Sequence, residues 1–545
     1  MIETQVLRRT IRDWLATAVG IGRQVWLAPL DAMFAIAGLR YGWLRIVFAR
    51  APSVILNGLG QLRAERAAWR ANRRVPAYAK FLAAEGIDAA ALFPLGILRR
   101  LPETDKASYI NRFSLAERCV GGAFPYVGTA VDESSGSTGR PYNWIRGRSE
   151  LDVAHRGVAF FARYTFGTAP VFAINAFSMG AWATGFNMSL GLLRHGMVKS
   201  TGPDLEKILS TLRDFGPAYS YLICGYPPFL KHLLDVGEDE GLDWRAFRMN
   251  ALVGGEGMSE ELRDHLLERF DAVYSGYGAT DLEMGMAAES PVSIAVRRLA
   301  RARPDVRAAL FGPDPRLPMV FQYNPLIHFL EVNAKAEIVA TVSRLDLVAP
   351  RVRYNVHDEG GVMDYGAVRR TLAPFGYRLE ELAAVAETFG PRGPLVWQRP
   401  IRLPFLWIFG RRDATISVMG ANIYPEDIES LIYRDPELTR RVHSFQLSVV
   451  TDETGTPRPS ISLELGDFER VGDEWRAETA RRLQVGLFDL NRDYRASSGE
   501  FPAAMRPIVE TWPLGSGPFA GDRSRIKQRR IASIGPGEGG TTPVP

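Results

Sequence analysis

Between about residue 100 and residue 410, short β-rich runs alternate with helical stretches, and this alternation constrains the fold more than any other feature of the chain. The runs Pro170–Ile174, Tyr219–Cys224, Ala251–Val253 and Ala336–Val342 are separated by stretches such as Asp204–Phe215 and Glu260–Phe270, a pattern that argues for α/β layers. Glycines stand at the ends of several runs, at Gly225, Gly254 and Gly255. Open α/β sheets bind ligands at such strand ends, so a site is expected along these loop tips.

After Gly410-Arg411-Arg412-Asp413 the pattern changes to a β-like Ile416–Val418, a helix over Pro425–Tyr433, strands near Ser444–Val450 and Ser460–Leu465, and a helix over Asp473–Leu490. This reads as a separate, smaller α+β domain. The expected organisation is a helical extension over 1–75, a large α/β domain over 76–412, the small domain over 413–533, and a disordered tail rich in glycine, proline and threonine over 534–545.

Composition narrows the class. Hydrophobic residues at 46% and charged residues at 23% are ordinary for a globular enzyme and exclude a disordered or fibrous chain. The net charge of +5 is small against 66 basic residues, nearly all arginine, so no nucleic-acid partner is expected. Cys119 and Cys224 lie far apart and the seven histidines form no HxxxH or HExxH element, which argues against zinc and suits a reducing cytoplasm. In the first 50 residues, Arg8, Arg9, Arg12, Arg23, Asp31, Arg40, Arg45 and Arg50 interrupt every apolar run before it reaches the length of a membrane span. A basic amphipathic surface there suits either packing on the next domain, which the pattern favours, or peripheral contact with a membrane.

Four local runs carry chemistry. Asp132-Glu133-Ser134-Ser135-Gly136-Ser137-Thr138-Gly139-Arg140-Pro141 combines glycines, which let backbone N–H groups approach a polyphosphate, with hydroxyls that add donors; alone, it is equally a flexible surface loop. Tyr274-Ser275-Gly276-Tyr277-Gly278-Ala279-Thr280-Asp281-Leu282-Glu283 sets an aromatic ring beside carboxylates, as a site for a nucleobase and a phosphate-bound Mg²⁺ requires. Arg353-Tyr354-Asn355-Val356-His357-Asp358 ends a strand-like segment on a carboxylate able to accept from ribose hydroxyls, and no partner spacing makes His357 a metal ligand. Gly410-Arg411-Arg412-Asp413-Ala414-Thr415-Ile416 is followed by Gly420-Ala421-Asn422-Ile423-Tyr424-Pro425-Glu426.

In this order, the runs resemble the ANL superfamily of adenylate-forming enzymes, and within it the phenylacetate-CoA ligase-like branch, over roughly residues 75 to 533. The resemblance implies a large N-terminal adenylate-forming domain of layered sheets and helices with a small mobile C-terminal domain. It implies ATP-dependent activation of a carboxylic acid to acyl-AMP, with pyrophosphate release and transfer to a thiol. CoA is the expected thiol; a phosphopantetheine carrier or an amine stays open, as does a non-catalytic, membrane-associated relative.

By the same resemblance, Ser134, Ser135, Gly136, Ser137, Thr138 and Gly139 form the phosphate loop. Gly254, Gly255, Glu256, Tyr277 and Gly278 line the adenine pocket. Asp358 and Arg411 hold the ribose, and Asp413 is the hinge. Thr280, Asp281 and Lys527 are the catalytic set, with Asp281 and Glu283 as candidates for Mg²⁺. A lysine aimed at the transferring groups stabilises the charge that develops there, and Lys527 is the only lysine after Lys335. Departures from the family's pattern are Arg140 where lysine is common in the loop, and Asp281 where glutamate is common. The aromatic and small residues of Asn175–Gly185 and Cys224–Phe229 are the expected lining for the acid. Gly515-Ser516-Gly517-Pro518-Phe519-Ala520 fits a loose GxGxxA pattern but opens no βαβ unit, which excludes a Rossmann reading.

Overall fold

The computed structural model describes residues 22, 25–87, 96–134, 142–181, 183–314, 316–382, 400–411, 416–419, 421–451, 457–466, 471–520, 530 and 531. Two compact units result. The first comprises Met1–Gly225, Gly237–Gly255 and Arg269–Gly410; the second comprises Tyr226–Val236, Glu256–Glu268 and Arg411–Pro545. The second unit therefore draws two helical pieces from mid-chain, which a linear division of the sequence does not anticipate.

In the first unit, strands β1 (Thr129–Glu133) and β2 (Asn143–Gly147) form an antiparallel hairpin. The main sheet contains β3 (Val171–Asn175), β4 (Gly196–Ser200), β5 (Ser220–Gly225), β6 (Arg248–Gly254), β7 (Ala272–Ala279), β8 (Glu283–Ala288), β9 (Met319–Tyr323), β10 (His328–Val332), β11 (Glu337–Val342), β12 (Tyr354–Met363) and β13 (Phe405–Arg411). Their spatial order is β10-β11-β12-β13-β9-β8-β7-β6-β5-β3-β4. The half from β4 to β7 is parallel; from β7 through β8 and β9 to β13 the pairing is antiparallel, as it is across β10, β11 and β12.

The reason for the parallel half is visible in its strands. All five residues of β3 (VFAIN) are buried, and only the first residue of β5 is not. Continuous apolar runs of this kind suit a sheet covered on both faces, whereas strict alternation would leave one face wet. The crossover helix Leu205–Phe215 shows the local logic. Asp204 caps it by accepting from the Lys207 N–H, Ile208, Leu209 and Leu212 are buried, and Gly216 ends it at φ 66°. Chain order places β4 to one side of β3 and β5 to the other, so a topological switch point lies between β3 and β5.

In the second unit, β14 (Ile416–Val418) and β15 (Ala421–Ile423) form a small hairpin, and β16 (Val442–Thr451), β17 (Pro457–Leu465) and β18 (Ile508–Pro513) form a sheet. Helices Pro425–Arg434 and Asp473–Leu490 contribute Ile428, Ile432, Leu483 and Leu487 to a core shared with Phe445, Leu447, Ile461 and Leu463. Helix Glu260–Leu267 packs on Pro425–Arg434. The Ser259 N–H donates to Glu429 at 2.8 Å, and Arg434 pairs with Glu261 at 2.9 Å.

Candidate active site

The site of the first unit is built on the carboxyl end of β7 and on β12. β7 runs into Tyr277-Gly278-Ala279, turns through Thr280-Asp281-Leu282 and returns as β8. The turn is tight: a Cβ on Gly278 would stand 2.5 Å from the Gly285 nitrogen, so only glycine lets the two strands close here. Gly255, just past β6, takes φ 85°, a second position that favours glycine.

Two side-chain bonds join the β7 segment to β12. The Tyr277 hydroxyl donates to Asp358 Oδ2 at 2.6 Å, and the Tyr354 hydroxyl donates to Asp281 Oδ2 at 2.8 Å. The Tyr277 ring lies against Phe321 at 5.7 Å between centroids. β12 is irregular where these side chains leave it. Arg353 and His357, each preceding one of the two partners, have φ of 45° and 61°, and the pairing with β11 slips between Glu337 and Val339. A bulge of this kind re-aims a side chain, and left-handed non-glycine residues concentrate at functional sites.

Lys106 approaches from the N-terminal side, and the sequence analysis missed it. Its ammonium lies 3.1 Å from Asp281 Oδ2 and 5.4 Å from the ring centre of Tyr142. Its position follows from backbone pairing, since Thr104 bridges Tyr354 and donates to the Arg353 carbonyl. Next in the chain, Asp105 caps the turn at Lys106, accepting from the Ser108 N–H at 2.6 Å, and lies 3.1 Å from His357 Nε2. Burial opposes the charge of Asp105, but the Ser108 amide and hydroxyl and His357 together hold its pKa below the carboxylate norm. His357 thus belongs to an acid-base pair beside the site. One signal was available, because Lys106 is among only seven lysines in the chain.

Tyr142 also marks the stem of the glycine- and hydroxyl-rich run. Ser134 donates its N–H to the Tyr142 carbonyl at 3.0 Å, closing the mouth of the β1–β2 hairpin. Ser135, Gly136, Ser137, Thr138 and Gly139 lie outside the described residues, as do Asp413 and Lys527 and the side chain of Arg411. Glu256 is half-buried and belongs to the second unit.

Behind the Asp281 turn is a cluster of buried arginines. Arg146 donates to the carbonyls of Thr280 and Leu282, to Glu150 at 2.9 Å and to Asp132 at 3.3 Å. Arg351 donates to the Asp281 carbonyl at 2.8 Å. Three successive carbonyls are thus drawn inward by guanidinium groups, and the hairpin strand β1, through Asp132, is tied to the same Arg146. Burial opposes the charge of Arg146, but Glu150 and Asp132 outweigh it and raise its pKa. Burial raises the pKa of Glu150 against the pull of Arg146, and brings Arg351 down to about 10, still charged at neutral pH.

Glu283, expected to share a metal with Asp281, is occupied otherwise. Its carboxylate is buried, lying 2.8 Å from His328 Nε2 and accepting from Arg344 at 3.2 Å. Burial works against its charge, yet Arg344 and His328 hold its pKa at about 2. Of the two carboxylates, Asp281 alone stands beside Lys106. Among the described residues no group of three or more metal-ligating side chains converges. A phosphate-bound Mg²⁺ requires only one or two carboxylates, since phosphates and water complete its shell, so Asp281 fits that need.

At the switch point, Asn175 donates to the Gly185 carbonyl at 2.7 Å and to Ser189 at 2.8 Å, and accepts from the Phe177 N–H at 3.1 Å. Phe177, Ser178 and Cys224 are buried nearby, and among the described residues the Ser178 hydroxyl has no hydrogen-bond partner. The tips of β3, β5, β6 and β7 therefore form one line of small and aromatic residues, leading to the Tyr277–Asp358 and Lys106–Asp281 pairs.

Solved structures with the same architecture identify the fold. The chain matches 2-hydroxyisobutyryl-CoA ligase in its postadenylation state, in complex with R3-HIB-AMP, at a TM-score of 0.60, covering 89% of this chain and 91% of that one at 15% identity. The chain has the fold of the ANL adenylate-forming ligases. The same ligase in its thioesterification state, with 2-HIB-AMP and CoA, gives a TM-score of 0.51 at 17% identity over 89% of this chain and 91% of that one. In sequence the chain is similar to the phenylacetate-coenzyme A ligase of Aromatoleum evansii, 23% identical over 437 residues, 78% of this chain and 86% of that protein. No family model matches it.

Proposed function

We propose that this protein activates a carboxylic acid with ATP, forming acyl-AMP and releasing pyrophosphate, and then transfers the acyl group to the thiol of CoA. The observation that carries the reading is that the Tyr277–Asp358 and Lys106–Asp281 pairs meet at the β7 turn, with Lys106 lying over Tyr142 at the stem of the glycine-rich loop. It is supported by the likeness to a phenylacetate-CoA ligase, and by a fold shared with a ligase captured with an acyl adenylate and with CoA.

In this reading the Tyr277 ring faces the adenine, and Asp358, oriented by the Tyr277 hydroxyl, accepts from the ribose together with Arg411. The loop Ser134–Gly139 offers N–H and hydroxyl donors to the phosphates. Lys106 and Lys527 supply positive charge where the α-phosphate is attacked and pyrophosphate leaves, which lowers the barrier electrostatically. Asp281 would hold Mg²⁺, whose chemistry is to neutralise phosphate charge; Thr280 stands next to it in the turn. The substrate carboxylate attacks the α-phosphorus, the bond to the β-phosphate oxygen breaks, and the thiol later attacks the acyl carbonyl with AMP as the leaving group. Asp413 is the hinge between the two half-reactions. Phe177, Ser178 and Cys224 belong to the acid pocket, where the unpartnered Ser178 hydroxyl offers a donor to a polar group on the acid.

The test is acid-dependent ATP–pyrophosphate exchange with a panel of aryl and alkyl carboxylates, run on wild type, Lys527→Ala and Asp281→Asn. Exchange in the wild type that collapses in both variants is expected. No exchange with any acid overturns the reading, and exchange that survives Lys527→Ala removes that residue from the catalytic set.

A further inference from the structure

The first 55 residues hold seven arginines against three carboxylates, so they carry +4 of the chain's +5 net charge. Nearly all of the excess positive charge thus lies in about a tenth of the chain, and the structure shows what accompanies it. Residues 25–37 and Tyr41–Arg50 form two helices, followed by the long helix Ser53–Arg74. One side of this group is anchored: Phe34, Tyr41, Leu44, Phe48 and Leu56 join a cluster with Phe160, Tyr164, Leu326 and Leu403.

The other side is apolar as well, and faces water. Trp26 is 81% exposed, Met33 52%, Ile36 55%, Trp43 49%, Ile46 44% and Val54 65%. Folding has already satisfied the core with the opposite face, so these residues are not spare core. Arg40 and Arg50 are exposed among them, and the Arg40 guanidinium lies 5.2 Å over the Trp43 ring. The one carboxylate of this stretch, Asp31, is committed to Arg63 and Arg66 on the long helix. From residue 25 to residue 55, the exposed side therefore presents tryptophan, aliphatic side chains and arginine, with no unpaired acid.

We infer that residues 25–55 form a peripheral docking face for a lipid bilayer that contains anionic headgroups. Tryptophan and arginine both suit the bilayer interface, where the ring or the methylene stem sinks into the acyl boundary while the polar end stays with headgroups and water. Helices with an apolar side and arginines at its margin lie in the plane of that interface. Among the described residues no helix is long and apolar enough to cross the membrane, which is consistent with this in-plane placement. Charge selects the bilayer over a second copy of the chain, because pairing two such faces, each with Arg40, Arg45 and Arg50 against Asp31, would oppose +2 against +2, whereas an anionic surface complements it. The inference is independent of the activity proposed above.

The experiment is flotation of the full-length protein, without substrates, on vesicles of phosphatidylcholine with phosphatidylglycerol and on phosphatidylcholine alone. The wild type should float with the anionic vesicles, and partitioning should fall at least about tenfold on pure phosphatidylcholine or in high salt. Trp26→Ser/Ile36→Ser/Trp43→Ser and, separately, Arg40→Gln/Arg50→Gln should each lose most of the binding, with far-UV circular dichroism and the unfolding midpoint unchanged. Equal partitioning on both kinds of vesicle, or anionic binding untouched by either variant, overturns the inference. So does concentration-dependent dimerisation of the wild type that the tryptophan variant abolishes, since a second copy would then be the occupant. If the triple variant fails to fold, the lipid and salt dependence of the wild type still decides.

Discussion

Arg146→Met separates what the buried cluster contributes to stability from what it contributes to the site. Arg146 is nearly inaccessible and holds Glu150 at 2.9 Å, Asp132 at 3.3 Å and the carbonyls of Thr280 and Leu282. Removing one partner of a buried ion pair costs about 3 to 5 kcal/mol, because the charge left behind is desolvated without compensation. The pKa of Glu150, already raised by burial, allows it to take up a proton in the variant, which places the expected loss toward the lower end of that range. Urea unfolding followed by intrinsic fluorescence measures it. Arg146→Met/Glu150→Leu should recover much of the loss, because the uncompensated charge is then gone. Activity should not recover with it. Two of the three carbonyls that orient the Asp281 turn have lost their donor in both variants, and displacement of a catalytic group by about 1 Å costs on the order of 100-fold in rate. Exchange activity should therefore fall by about 10- to 100-fold in single and double variants alike. The reasoning is refuted if the single variant is as stable as wild type, or if the double variant regains activity in step with stability.

Two further outcomes follow from individual groups. Tyr277→Phe keeps the ring but leaves Asp358 without its 2.6 Å donor; a charge-assisted bond of this kind is worth about 1.5 to 3 kcal/mol, so KM for ATP should rise by about 10-fold or more with kcat little changed, and an unchanged KM would remove the pair from the nucleotide site. Burial, reinforced by Arg163 and only partly offset by a backbone bond at Gly167, lowers the pKa of His195 to about 4. The unfolded state then binds the extra proton below pH ~6.5, so stability present above that pH is lost as the pH falls toward 4; in His195→Gln the acid limb of a stability–pH curve should flatten by up to roughly 3 kcal/mol, and an unaltered limb would refute the assignment.

The elements legible in sequence were those whose residues state their own environment. β5 and β3 are short apolar runs because both faces of the sheet are covered, and Leu205–Phe215 announces itself by its Asp204 cap and its terminal glycine. The Tyr277 and Asp358 motifs stood out in the same way, since glycines mark where backbone comes close. Lys106 and Tyr354 did not stand out. Each looks ordinary locally, and only the bridge between Thr104 and Tyr354 places the lysine at Asp281, some 175 residues further along the chain. Glu283 shows the converse: in sequence it is a carboxylate beside Asp281, and in space it is paired with Arg344 and His328.

By itself, the sequence determined the α/β layering and the glycine-rich strand ends, because hydrophobic runs, caps and turn residues act within a few positions of one another. Only the tertiary structure decided which carboxylate faces Lys106, how two arginines, Arg146 and Arg351, orient the turn that carries it, and that the N-terminal helices keep a second apolar face after the first is buried. Electrostatic pairing and burial act through space over a few ångströms, and distance along the chain does not encode them.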